Sequence, residues 1–344
     1  MLSIAAAVLL ALMPGPAAAQ PSPATPSAGP HSQDSNSATA RSYSDFLLFG
    51  PHRAFAVDSD GAPWWWAGLS GPDPGPAVSN ALKRCEERGK PPCRLVAVNN
   101  YTVTGSDWRA EVPARSPDAP DLGRIRPEPY WSMRGPQLAN GLIVWSHGYR
   151  AGRNATDSAP QPWVGRFTRL GYDLYRFDRE WIADWASDAT VLAETVRKAR
   201  AMGYRRILLA GQSAGAWVSL AALARGAPVD GVISIAAAHH GEVKDMKDTA
   251  RARNEWQHVL EAIKPGARLF VVNFAGDAYD VGGRMADARR IFAKSGVTAE
   301  VVDEPEGFTG HGAGAEFAFA RKFGPCLQSF IEQGRRQKPC SAAD

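Results

Sequence analysis

The chain has 344 residues, of which 44% are hydrophobic and 22% charged, with a formal net charge of +4. That balance is globular and leaves room for one large domain plus a smaller one. The basic residues are scattered rather than gathered in a stripe, which excludes a nucleic-acid or membrane-surface footprint and leaves small molecules as the expected partners.

Residues 1–19 read as a secretory signal peptide. Leu9, Leu10, Leu12 and Met13 form an apolar stretch, Pro14-Gly15-Pro16 breaks it, and Ala17-Ala18-Ala19 offers small residues for cleavage. The usual Lys or Arg at the start is missing, so only the amino terminus supplies positive charge. No later segment reaches the ~20 apolar residues of a membrane span. The mature protein is therefore expected to be secreted or periplasmic, without stable membrane insertion.

Residues 20–42 are rich in Pro, Ser, Ala and Gly and hold hardly any large apolar side chain, so a disordered tether is expected. Residues 43–105 read as a small α+β module: an extended run at 55–66 with a turn at Asp60-Gly61, a helix at 76–88 and a strand at 94–103. The cluster Trp64-Trp65-Trp66 is either its core or a contact surface. Residues 106–140 carry many prolines and charges without periodicity, as a linker or as early strands of the next domain.

From Gly141 to about residue 335 the pattern alternates regularly, and 336–344 is a tail. Strands are expected at 141–145, 172–176, 206–210, 231–236, 268–274 and 299–302. Helices are expected at 159–170, 187–202, 214–225, 251–263, 284–294 and 315–332, with Ser187 as N-cap of the second. Such alternation implies a mostly parallel sheet with helices on both faces.

Four cysteines fit an oxidising compartment and allow three pairings. Cys85 with Cys93 and Cys326 with Cys340 are the expected disulfides, because each closes a short local loop. Their spacings are not those of a zinc site, and the sequence implies no metal and no cofactor. It carries no signal for an oligomeric state.

The strand at 206–210 breaks at Gly211-Gln212-Ser213-Ala214-Gly215 into an alanine-rich helix. A serine hydroxyl must be presented on a sharp turn beside a general base to act as a nucleophile, and a tight turn needs small neighbours such as Gly211, Ala214 and Gly215. With this strand, turn and helix, the order of parts from Gly141 onwards resembles the α/β-hydrolase superfamily, in its minimal esterase or dienelactone-hydrolase form. That resemblance implies a triad in chain order nucleophile, acid, histidine.

Of the seven histidines, His31, His52, His147, His239, His240, His258 and His311, only His311 follows the strand that should carry the acid. It sits in the glycine-rich loop Gly307-Phe308-Thr309-Gly310-His311-Gly312. Asp277 is the nearer acid to the end of its strand and Asp280 the alternative; the family's G-x-x-D register from Gly276 falls on Tyr279 instead. The oxyanion donors implied are the N–H of Ala214 and one from Ser146-His147-Gly148-Tyr149, with Tyr149 preferred to Gly148. His147 reads as structural, while His239, His240 and Trp181 are candidates for lining the site.

The segment after His239 is the usual place for a lid, and here it is charged rather than apolar, which favours an open cleft for a water-soluble ester. The expected activity is hydrolysis of small-molecule or polymer-linked carboxylic esters through an acyl-enzyme. A peptidase or amidase on the same fold, or a catalytically silent binding protein, are the alternatives.

Overall fold

The computed structural model describes residues 38–68, 73–149, 158–179, 184–333 and 340. The expected signal peptide and residues 20–37 of the tether lie outside the described residues, as does Trp181. From Ala38 on, the described residues belong to one compact unit.

The first element is helix α1 (Ala38–Phe46), so residues 38–42, read as the end of the tether, are helical. The helix is held because Phe46 is fully buried against Phe55 and Tyr43 packs on the same ring. Strands β1 (Arg53–Val57) and β2 (Pro63–Ala67) pair around the turn, α2 (Gly75–Arg88) follows, and β3 (Arg94–Val98) and β4 (Tyr101–Thr102) complete an antiparallel sheet. Its order is β2-β1-β3-β4. Ala77, Val78, Ala81 and Cys85 form the buried face of α2, and Cys85 is bonded to Cys93 just before β3. Buried Arg53 joins this sheet to the rest: its guanidinium lies over the rings of Phe46 and Trp131 and donates to the carbonyl oxygens of Phe46, Phe49 and Asn99.

The stretch 106–140 contains a short helix α3 (Trp108–Glu111) and the two-residue strand β5 (Arg126–Pro127). The main sheet then builds from β6 (Gly141–Ser146), β7 (Tyr172–Phe177), β8 (Ile207–Gln212), β9 (Gly231–Ile235), β10 (Arg268–Asn273) and β11 (Ala299–Asp303). Its order is β11-β10-β9-β8-β6-β7-β5, parallel except for β5 at the edge. This is the α/β-hydrolase fold expected from the sequence. The central strands are buried along their length except at Gln212, the last residue of β8, which is why they read as continuous apolar runs rather than alternating ones.

Three helices depart from expectation for local reasons. The one expected at 159–170 is a 3₁₀ turn at Pro162–Val164 followed by the short α4 (Gly165–Arg169), since prolines at 160 and 162 cannot donate to a preceding turn. Helix α5 (Trp185–Ala201) is capped not by Ser187 but by Asp184, whose carboxylate accepts from the Ala186 N–H. The helix expected at 315–332 is split into α9 (Phe317–Lys322) and α10 (Gly324–Gln333), because Pro325 cannot continue the ladder. Helices α6 (Ala214–Ala224), α7 (Thr249–Ala262) and α8 (Arg284–Ser295) lie close to their expected bounds. Cys340 is bonded to Cys326 in α10. Among the described residues no helix is long and apolar enough to cross a membrane.

The chain runs from β6 outward to β7, then returns to place β8 on the other side of β6. Ligands of open α/β sheets bind where the order reverses in this way, at the carboxyl ends of the strands. The loop after β6 and the turn after β8 meet there.

Candidate active site

Ser213 sits between β8 and α6 with φ 55° and ψ −124°, a conformation that ordinary residues adopt only when their surroundings enforce it. The enforcement is close packing. A Cβ added to Gly215 would lie 2.0 Å from the Ser146 carbonyl oxygen, so only glycine lets α6 start this near to β6. The loop after β6 also approaches closely, since a Cβ on Gly148 would lie 3.1 Å from the Ser213 Cβ. The Ser213 N–H donates to Ile235 O at 3.0 Å, which fixes the turn to β9.

The loop carrying His311 is tied back to the end of β10. Thr309 bridges Ala275, and the Gly310 N–H donates to Ala275 O at 2.8 Å. Gln212, beside Ser213, donates from Nε2 to the His311 carbonyl at 3.2 Å. His311 Nδ1 lies 2.9 and 3.0 Å from the two carboxylate oxygens of Asp277. A carboxylate only accepts, so the proton is on Nδ1 and the lone pair on Nε2. Nε2 is buried and has no hydrogen-bond partner among the described residues. Asp280 is occupied elsewhere: it accepts from Asn273 Nδ2 and the Gly282 N–H and lies 3.6 Å from Arg284 Nε.

Ser213, Ala214, Tyr149, His239 and His240 line one cavity of about 340 Å³. Ala214 is the first residue of α6, so its N–H has no intrahelical acceptor. The Tyr149 side chain is exposed. His147 is buried: its Nε2 accepts from the Arg179 N–H at 3.0 Å, and its Nδ1 donates to Gly148 O at 2.7 Å. Burial, reinforced by the Arg179 charge, pushes the His147 imidazole down to about 4, so it is neutral near pH 7. This histidine braces the loop from Gly148 to Tyr149 against the end of β7.

His239 packs against both Trp185 and Trp217, with ring centroids 5.4 and 5.7 Å away. Burial and then the neighbouring His240 push it down to about 4. His240 Nε2 donates to Glu255 Oε2 at 2.9 Å.

Three residues of the site were missed in the sequence. Arg179 lines the cavity with a buried guanidinium that donates to His147 O, and burial lowers its pKa to about 10, which still leaves it cationic at neutral pH. Its signal was its position just past β7, at the same rim as Ser213. Tyr279, noted only for occupying a register, covers His311. Glu255 sits in mid-helix and nothing local marked it.

No family model matches the sequence, and no curated protein matches it. Among solved structures, it is similar to a truncated carbohydrate esterase from gut microbiota, with 12% identity, 64% of this chain and 96% of that one covered, and a TM-score of 0.44. An esterase from Pyrococcus furiosus matches at 14% identity, over 57% of this chain and 81% of that one, with a TM-score of 0.43. Dipeptidyl peptidase 4 of Porphyromonas gingivalis matches at 12% identity and a TM-score of 0.42 over 56% of this chain, which spans 31% of the peptidase's length.

Proposed function

We propose that this chain, an α/β-hydrolase by fold, is a serine hydrolase that cleaves carboxylic esters through an acyl-enzyme. The observation that carries the reading is the held imidazole: Asp277 fixes the Nδ1–H of His311 and leaves Nε2 with a lone pair and no partner among the described residues. In the reaction His311 Nε2 takes the proton of Ser213 Oγ as the oxygen attacks the ester carbonyl. The same nitrogen returns it to the leaving alcohol, and water then repeats the sequence to release the acid. Asp277 holds the tautomer and stabilises the imidazolium. The Ala214 N–H and an N–H of the loop from Gly148 to Tyr149 face the developing oxyanion.

A cavity of about 340 Å³ suits a small acyl group, attached to a small alcohol or to a polymer. Neither a metal nor a cofactor enters this chemistry. The two disulfides support a place outside the reducing cytoplasm, in the periplasm or beyond the cell.

The test is a fluorophosphonate probe together with short p-nitrophenyl esters, applied to the full chain and to Ser213→Ala. Covalent labelling and turnover that both vanish in the variant are the expected result. A folded wild type that neither labels nor turns over overturns the reading in favour of a binding protein.

A further inference from the structure

We propose that His239, His240 and Glu255 form a site for one divalent transition-metal ion of the zinc class, on the wall of the cavity that Ser213 lines. One donor atom from each residue lies within 4.8 Å of the others. Zinc holds imidazole nitrogen and carboxylate oxygen at about 2.0–2.2 Å, so its tetrahedral ligands stand about 3.3 Å from one another and the three donors here must close by about 1.5 Å at most. Side-chain rotation covers that.

The surroundings are those of a built site. Although adjacent in sequence, the two imidazoles sit together, with ring centroids 4.9 Å apart. Trp217 supports both from below, at 5.7 and 5.4 Å. Glu255 is oriented from behind: Arg251 Nε donates to its Oε1 at 2.8 Å, which leaves Oε2 turned to His240. Outer partners of this kind fix the ligands of metal sites. His240 Nδ1 is buried with no hydrogen-bond partner, and no hydrogen bond holds the His239 ring among the described residues. Two imidazoles on the cavity wall, beside one oriented carboxylate, are a borderline-soft donor set that suits zinc, cobalt or nickel rather than calcium or magnesium.

On binding, His240 gives up its Nε2 proton and carries one on Nδ1 instead, so the ring stays neutral and the cation takes the place of the proton between Nε2 and Glu255 Oε2. Both histidines line the cavity, so the remaining coordination positions open into it, where a water or a ligand oxygen completes the shell. This site does not depend on the hydrolase reading.

Isothermal titration of the full chain with zinc chloride, and visible absorption on adding cobalt(II), test it without any substrate. The expected result is one ion per chain, the intense cobalt bands of a four- or five-coordinate centre, and affinity weakened by about tenfold or more in His240→Ala and in Glu255→Gln. Circular dichroism of each variant guards against misfolding, and Glu255→Gln keeps the shape of a side chain on a helix surface. Absence of saturable binding, or binding of equal strength in a folded double variant His239→Ala/His240→Ala, overturns the proposal. Fluorophosphonate labelling run on the same samples reports Ser213 separately, so failure of the esterase reading and failure of the metal site are distinguishable.

Discussion

The phenol ring of Tyr279 lies over the imidazole of His311, with centroids 4.2 Å apart and planes 35° from parallel, while its N–H donates to Asp277 Oδ1 at 2.9 Å. One short turn after β10 therefore sets both the carboxylate that holds His311 and the ring that covers it. The Tyr279 hydroxyl donates to Glu242 Oε1 at 3.4 Å, which ties the cover to the segment after β9.

Removing the ring should loosen the imidazole without disturbing the acid. Tyr279→Ala is expected to lower kcat on p-nitrophenyl acetate by about tenfold, since small displacements of a positioned group are costly in rate. Tyr279→Phe keeps the ring and is expected to stay within about twofold of wild type, because an exposed-side hydrogen bond of that length adds little. Equal kcat in the Ala and wild-type enzymes would remove the positioning role.

Asp277 and Asp280 have different partners, His311 for the one and Asn273 with Arg284 for the other, and should separate by function. Asp277→Asn is expected to reduce kcat by about 10⁴-fold with the fold intact, as loss of the carboxylate leaves the wrong imidazole tautomer. Asp280→Asn should keep most activity but lower stability by about 1–3 kcal/mol, because the buried Arg284 loses its nearest carboxylate. Steady-state kinetics and urea unfolding on both variants check this, and the larger kinetic loss falling on Asp280→Asn would reverse the assignment.

That pair also marks how far the sequence reached. Ser213 and His311 were legible because each sits in a short segment whose glycines and small residues force a particular turn, and such constraints are local. The choice between two aspartates three residues apart was not local. It depends on where the His311 loop is tied down, and that comes from the bridge between Ala275 and Thr309. Arg179 lines the cavity from just past β7, while Trp217 on α6 and Glu255 on α7 stand behind His239 and His240, and no single segment's pattern records that convergence. The parallel strands were readable from their apolar runs. The helix boundaries that failed did so at prolines and at an equally good cap, Asp184, three residues before the expected one.

Close packing at the elbow gives a stability prediction. Gly215→Ala places a methyl 2.0 Å from Ser146 O and 2.4 Å from its carbonyl carbon, both backbone atoms that cannot rotate away. Overpacking of this kind costs about 1–3 kcal/mol or more, so the variant should unfold at a lower temperature and lose fluorophosphonate labelling as the turn opens. Calorimetry and labelling together test it; an unchanged Tm with full labelling would show that α6 can retreat from β6.

The last prediction concerns Glu128, which is 0% exposed at the junction of the small sheet and the main one. Its carboxylate faces Arg176 NH1 at 3.4 Å and His52 Nε2 at 3.9 Å, with Asp178 also nearby on the Arg176 side chain. Burial pushes the Glu128 carboxyl up to about 7, and the Arg176 charge offsets only part of that. An unfolded glutamate titrates near ~4.3, so between that pH and about 7 the folded chain holds a proton that the unfolded chain has lost. Stability then falls as pH rises. The contribution is fully present below the unfolded value and gone once pH passes the folded one, with a span on the order of 3 kcal/mol. Glu128→Gln keeps the shape and abolishes the titration. Relative to wild type it should therefore gain stability from pH 4.5 to about pH 7 and level off by pH 8 in urea titrations. His147 and His239 titrate on the acid side in both proteins and cancel in the difference. A wild-type-minus-variant difference that stays flat across that range would mean that Glu128 remains ionised as the partner of Arg176 throughout.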